Sequence, residues 1–120
     1  MNELEAELRA LPEQIQTEAL KLLQLTCDIE KERKTIADRK ADAMSVIADI
    51  KESGKPKYSN SDMREVAVKT LLNASPEYGN SVDKLGRLEY QQRKQQINIV
   101  FFENRFQACR SIARLIEVKA

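Results

Sequence analysis

Two heptad-spaced runs of residues constrain this chain more than any other feature of its sequence. One recurs at alternating spacings of four and three from Ile15 to Ile50, and the other from Leu85 to Ile116. This spacing places all members of a run on one side of an α-helix, and it predicts two long helices that pair lengthwise. The first run comprises Ile15, Ala19, Leu22, Thr26, Ile29, Arg33, Ile36, Lys40, Ala43, Ile47 and Ile50. The second comprises Leu85, Leu88, Gln92, Gln95, Ile99, Phe102, Phe106, Cys109, Ala113 and Ile116.

Glycine and proline set the expected ends of these helices. Pro12 predicts a break, so a long helix should occupy about residues 13–52, and Gly54 before Pro56 predicts a turn. The turn and a short helix, with Ser59 three residues before Asp62 as a capping pair, are expected over about 53–74. Ser75 followed by Pro76 predicts the start of a second long helix over about 76–118.

We therefore predict an all-α fold for residues 1–120, a single elongated domain in which two long antiparallel helices form a coiled-coil hairpin with a short helix in the connection. Counting outward from the turn puts Lys40 opposite Gln92 and Arg33 opposite Ile99. The same count puts Ile50 near Val82, and Ile15 near Glu117.

Composition argues against an enzyme. The chain has 20 Lys and Arg against 19 Asp and Glu and contains no His, the residue most used as a catalytic base and metal ligand. No phosphate-binding loop, nucleophile motif or metal-ligand cluster occurs, so we expect no catalytic residue, no metal, no cofactor and no small-molecule substrate. The two cysteines, Cys27 and Cys109, are expected to be buried as small apolar residues.

No apolar run approaches the roughly 20 residues that cross a bilayer, and residues 1–9 are acidic rather than basic and then hydrophobic. A cytoplasmic protein without membrane contact is the expectation.

Apolar residues flank both heptad runs and exceed what one partner helix covers, which predicts a homo-oligomer. Hairpin and domain-swapped pairing satisfy the same periodicity. The candidate residues for the oligomer or helix-helix interface are Ile29, Ile36, Ile47, Leu88, Ile99, Phe102, Phe106 and Ile116.

Basic residues near the turn form a candidate tip that contacts a partner or nucleic acid. Its members are Lys55, Lys57, Tyr58, Ser59, Asn60 and Arg64. Clustered cations beside an aromatic ring suit phosphate contact and base stacking. A solvated face explains the same cations, because Glu52, Asp62 and Glu65 dilute them, and capping alone accounts for the serine and Asn60.

The stretch Lys55-Pro56-Lys57-Tyr58-Ser59-Asn60, then Ser75-Pro76-Glu77-Tyr78, and a late aromatic and Arg-containing segment over 102–110 form a recognisable pattern. It resembles small helical proteins encoded in bacteriophage and other mobile-element DNA replication and recombination modules. The resemblance covers about residues 51–115; Ser75 stands where that pattern usually has Asp, and Gly79 and Gly86 interrupt it. It implies an association with DNA metabolism and assigns no catalytic residue.

The leading expectation is thus a non-enzymatic helical adaptor or accessory protein in mobile-element DNA replication or recombination, with a possible protein partner. Direct non-specific DNA binding through the basic turn is one alternative. A purely structural or inhibitory coiled-coil interaction module is the other.

Overall fold

The computed structural model describes residues 2–119, and its elements confirm the all-α hairpin. Helix α1 spans Asn2–Asp49, helix α2 spans Ser61–Asn73 and helix α3 spans Pro76–Lys119. Between α1 and α2 lie two short strands, β1 (Lys51–Glu52) and β2 (Lys55–Pro56), which the sequence patterns did not predict. The described chain divides into two compact units. The terminal unit combines the residues up to Cys27 with those from Glu89 onward, and the central unit spans Asp28–Leu88.

In the terminal unit α1 and α3 are antiparallel. The Gln92 side-chain amide donates to the Thr26 hydroxyl at 3.2 Å, and the Gln95 amide donates to the Glu18 carboxylate at 2.6 Å. Further along, the Arg105 guanidinium donates to the Glu7 carboxylate. Residue numbers fall along α1 as they rise along α3, as the hairpin requires.

The central unit shows the same antiparallel order. The Lys84 ammonium lies 3.5 Å from the Glu32 carboxylate, and the Arg39 guanidinium donates to the Glu77 carboxylate at 3.1 Å. Leu72 of α2 is buried in this unit. A groove and a smaller cleft, both lined jointly by α2 and the last turns of α1, show that α2 packs beside that end of α1.

The predicted register was wrong. Gln92 contacts Thr26 rather than Lys40, a difference of fourteen residues, or two heptads. Apolar positions repeat every seven residues, so they cannot distinguish registers that differ by whole heptads. The count from Ile50 failed because α2 packs beside the last turns of α1, and α3 starts opposite Arg39.

Three of the eleven members of the predicted α1 stripe were also wrong by one residue. The other eight are buried or half-buried as expected: Ile15, Leu22, Thr26, Ile29, Ile36, Ala43, Ile47 and Ile50. Ala19, Arg33 and Lys40 are exposed, and their inner places are taken by Glu18, Glu32 and Arg39. A carboxylate or guanidinium is tolerated there because each bonds to a polar group of α3. The stripe of α3 is confirmed from Leu85 to Ala113, where every member is buried or half-buried.

The break predicted near Pro12 does not occur, because α1 is continuous through it. A proline inside a helix removes one backbone hydrogen bond and costs about 3 kcal/mol. Leu11 is buried directly before Pro12, and Glu7 and Glu18 contact α3 on either side of it. These contacts hold both flanks of the proline in one helix.

The connection is a tight hairpin followed by a capped helix. Ser53 and Gly54 both have positive φ, 55° and 77°, which is the geometry of a two-residue type I′ turn, and Glu52 pairs with Lys55 across it. Of the two residues expected to cap α2, Ser59 and Asn60, it is Asn60 that does so, since its side chain accepts from the Met63 N–H at 2.8 Å. Ser75 caps α3 as predicted, with its hydroxyl accepting from the Tyr78 N–H at 3.3 Å.

The helix-helix core depends on a few well-buried aliphatic side chains, and Ile29 is the most buried, at 2% exposed. We expect Ile29→Ala to lower the free energy of unfolding by about 2–5 kcal/mol, through lost burial and a residual cavity. Val66→Ala is the control because Val66 is 66% exposed. Urea denaturation followed by circular dichroism measures both, and an equal effect of the two changes would contradict this core.

Candidate functional site

The predicted tip residues all lie in the central unit, between β2 and the first turns of α2. The Lys57 ammonium sits 5.5 Å from the centre of the Tyr58 ring, a cation-π contact. Asn60 caps α2, and the Arg64 Nε donates to the Asn60 carbonyl at 3.4 Å. Lys55 and Ser59 are exposed. The structure thus pairs Lys57 with Tyr58 and Asn60 with Arg64, and it gives Asn60 a structural role.

The eight predicted interface residues divide by burial. Ile29, Ile36 and Ile47 are buried. Half-buried positions in α3 are Leu88, Ile99, Phe102 and Phe106. Ile116 is exposed. Seven of the eight therefore lie in faces that the same chain covers, so little of their surface is left for contact with a second chain.

Part of the apolar surface that remains exposed lies on the opposite side of α3. Residues placed two positions after each member of the packed stripe from Leu88 onward repeat the same alternation of four and three, about 200° around the helix. We call this row the outer stripe of α3. It comprises Tyr90, Lys94, Ile97, Phe101, Asn104, Ala108, Ser111, Leu115 and Val118. Ile97 is 72% exposed and Phe101 is 60% exposed.

Phe101 and Leu115 are among the apolar residues that flank the α3 run, and they were not predicted to form this second row. The signal was present, because the row has the same heptad spacing as the packed one. It was missed because polar residues interrupt it at Lys94, Asn104 and Ser111.

An open groove of about 790 Å³ borders the outer stripe in the terminal unit. Phe101 and Ile97 form its α3 wall, Leu25 of α1 contributes apolar surface, and Lys21 and Lys94 supply two cations. We call it the terminal groove. Its exposed apolar wall suits a helix or an extended chain better than a small molecule, because it is open along its length.

A polar cluster sits inside the helix pair of the terminal unit. The buried Glu18 carboxylate accepts from the Gln95 amide at 2.6 Å, the Asn98 amide at 3.1 Å and the Lys21 ammonium at 3.1 Å. Gln95 also donates to the Glu18 backbone carbonyl at 2.9 Å. The Gln95 hydrogen bond, followed by that of Lys21, lowers the pKa of Glu18 from its ordinary value. The cluster fixes the local register rather than presenting a reactive group.

A second polar cluster lies nearer the N-terminus of α1. Glu7 accepts from Arg105 and from the Cys109 thiol, whose sulfur lies 3.1 Å from a Glu7 carboxylate oxygen. The hydrogen bond from Arg105 lowers the pKa of Glu7, and the bond to Glu7 together with burial raises the pKa of Cys109. Cys109 is buried as expected, but Cys27 is exposed, so the prediction for Cys27 was wrong.

Among residues 2–119 no group of three or more Cys, Asp or Glu side chains is placed to hold a metal ion. None of the described helices is long and apolar enough to cross a membrane. No protein-family model matches this chain, and comparisons with curated proteins and with solved structures yield no significant match.

Acid should weaken the fold through the two clusters. Glu7 and Glu18 have lowered pKa values in the folded state, so their contribution to stability is present above the ordinary carboxyl value of 4.5 and is lost as the pH falls through the folded values. We expect the double variant Glu7→Gln/Glu18→Gln to lose less stability than the native chain between pH 7 and pH 3. Urea midpoints at several pH values measure this, and parallel curves would contradict it.

The two thiols should react at very different rates. The raised pKa and burial of Cys109 suppress its thiolate, whereas Cys27 is accessible. We expect one thiol per chain to react quickly with Ellman's reagent in buffer and two in denaturant. The Cys27→Ser variant should lose the fast phase. A fast phase that persists in this variant would show that Cys109 is not protected.

Proposed function

We propose that this chain is a non-enzymatic helical adaptor that self-associates through the outer stripe of α3. The observation that carries the proposal is that α3 has two apolar faces, one covered by α1 and one exposed. A helix that is apolar on opposite sides is expected to contact neighbours on both sides.

The size of the outer stripe supports association. A large aromatic side chain buries about 150–250 Å², so the stripe offers on the order of 500 Å² of apolar surface. That approaches the roughly 800 Å² per partner of a stable interface, with neighbouring side chains making up the remainder. Its heptad spacing is that of a surface which receives another helix, and Lys94 and Asn104 supply polar positions that select a register.

Charge indicates which helix of the second copy lies on the stripe. Residues 1–32 carry 8 acidic and 3 basic groups, whereas residues 76–120 carry 8 basic and 5 acidic groups. Two α3 helices would repel, but α3 against the N-terminal half of α1 from a second copy brings opposite charges together. That half exposes Leu20 and Leu23 as apolar counterparts. A twofold dimer makes this contact twice.

Supporting an adaptor role, the carboxylates of Glu7 and Glu18 are used in hydrogen bonds between α1 and α3, and the terminal groove is open. The association with mobile-element DNA replication or recombination, and the cytoplasmic location, stay predictions from the sequence.

Self-association is tested by light scattering coupled to size exclusion. We expect a dimer of twice the 13.7 kDa chain mass at about 100 µM, which Ile97→Glu converts to monomer because the charge would be buried in the apolar contact. Val66→Glu is the control, since Val66 is 66% exposed in the central unit, away from the stripe. A native chain that stays monomeric, or equal dissociation by both changes, would contradict the proposal.

Direct DNA binding is the second candidate, favoured by the exposed Lys51, Lys55 and Lys57 around the hairpin beside Tyr58. None of the ion pairs seen between described residues involves these lysines. If they contact phosphates, affinity for single-stranded DNA falls as salt rises, and the triple variant Lys55→Gln/Lys57→Gln/Arg64→Gln flattens that dependence by a slope of about 2–3. Absence of DNA binding at low salt removes this candidate.

A further inference from the structure

A groove of about 690 Å³ lies in the central unit between the last turns of α1 and one face of α2. We call it the central groove. Its α1 wall carries Lys40, Met44 and Ala48, which lie four residues apart and so share one face. Its α2 wall contains the apolar Val68 and Leu72. The remaining lining residues are Ser61, Arg64, Glu65, Lys69 and, from α3, Tyr78.

The floor of the groove is apolar and accessible. Met44 is 61% exposed although it lies in a long helix with a packed face, and Leu72 closes the bottom as a buried residue. A methionine side chain is flexible and polarisable, and it adapts to apolar side chains of different shapes. The volume lies in the range of sites that accept a few large side chains.

The rim of the groove is basic. Lys40, Arg64 and Lys69 provide three cations, against one acidic residue, Glu65. None of these three cations takes part in the ion pairs seen between described residues. Their charge is therefore available to a partner that brings carboxylates.

We infer that the central groove binds an acidic amphipathic helix of another protein, with its apolar side chains on Met44, Val68 and Leu72 and its carboxylates toward Lys40, Arg64 and Lys69. The inference rests on the adaptor proposal and names the chemistry of the adaptor's partner. Apolar anchors laid in a groove and flanked by opposite charge are the recognised mode of helix-in-groove binding. Nucleic acid would use the cations but leave the apolar floor unoccupied.

The test is fluorescence anisotropy with the full chain and a labelled helical peptide of about 18 residues. The peptide has leucine at alternating spacings of three and four, with glutamate and alanine elsewhere, and a scrambled peptide of the same composition is the control. We expect saturable binding in the micromolar range and at least about tenfold weaker binding of the scrambled peptide.

Two groove variants and two matched controls locate the site. Met44→Glu should weaken binding at least about tenfold, and Val100→Glu, at a 54% exposed position in the terminal unit, should change it by less than about twofold. Lys40→Glu/Lys69→Glu should also weaken binding about tenfold, whereas Lys51→Glu/Lys55→Glu, with the same change in net charge, should not. Circular dichroism confirms that each variant is folded.

Several results would overturn the inference. These are equal affinity for the scrambled peptide, an equal loss of peptide binding in the Lys51→Glu/Lys55→Glu control, or no saturation by about 1 mM peptide. Displacement of the peptide by single-stranded DNA, with both affinities unchanged by Met44→Glu, would assign the cations to nucleic acid. Light scattering on the same samples separates the two proposals. If the chain is a monomer that binds the peptide, only the self-association proposal is contradicted. If it is a dimer that does not bind the peptide, only the central-groove proposal is contradicted.

Discussion

The hydrogen bonds of the buried Glu18 carboxylate are the constraint on which the pairing of α1 and α3 in the terminal unit depends. A carboxylate removed from water is costly unless it is bonded, and here two amides and an ammonium bond it. A shift by one heptad would preserve most apolar contacts but would leave Glu18 without Gln95 and Asn98. Apolar periodicity therefore makes the helices pair, and the polar cluster determines where they pair.

The face of α3 that packs against α1 decides what is left exposed. With one side of α3 facing α1, its other side presents Ile97 and Phe101 to solvent, and the helix becomes a shared element with a covered and an uncovered face. In the central unit, α2 packs beside the last turns of α1 and next to the start of α3, and the central groove forms along this junction. Both proposed binding surfaces thus follow from helix packing rather than from any reactive group.

The sequence allowed the helices, the connection and the packed stripe of α3 to be predicted, because spacing and capping residues are local signals. The helix break predicted at Pro12 was wrong because tertiary contacts on both sides of the proline outweigh its local tendency to interrupt a helix. The α1 stripe was assigned to Arg33 and Lys40 instead of Glu32 and Arg39, since the choice depends on partners in α3 that lie far away in the sequence. The central groove could not be anticipated, because it joins residues of α1 and α2 whose proximity depends on how α2 packs beside the last turns of α1.

The measurement that tests the central claim most directly is isotope-filtered nuclear Overhauser spectroscopy on the assigned protein. The account predicts contacts between the Thr26 methyl group and the Gln92 side-chain amide within one labelled chain. Contacts from Gln92 to Lys40, or Thr26 contacts to Gln92 that occur only between differently labelled chains, would show a different register or an exchanged helix. Either result would contradict the pairing of α1 and α3 that the Glu18 cluster sets.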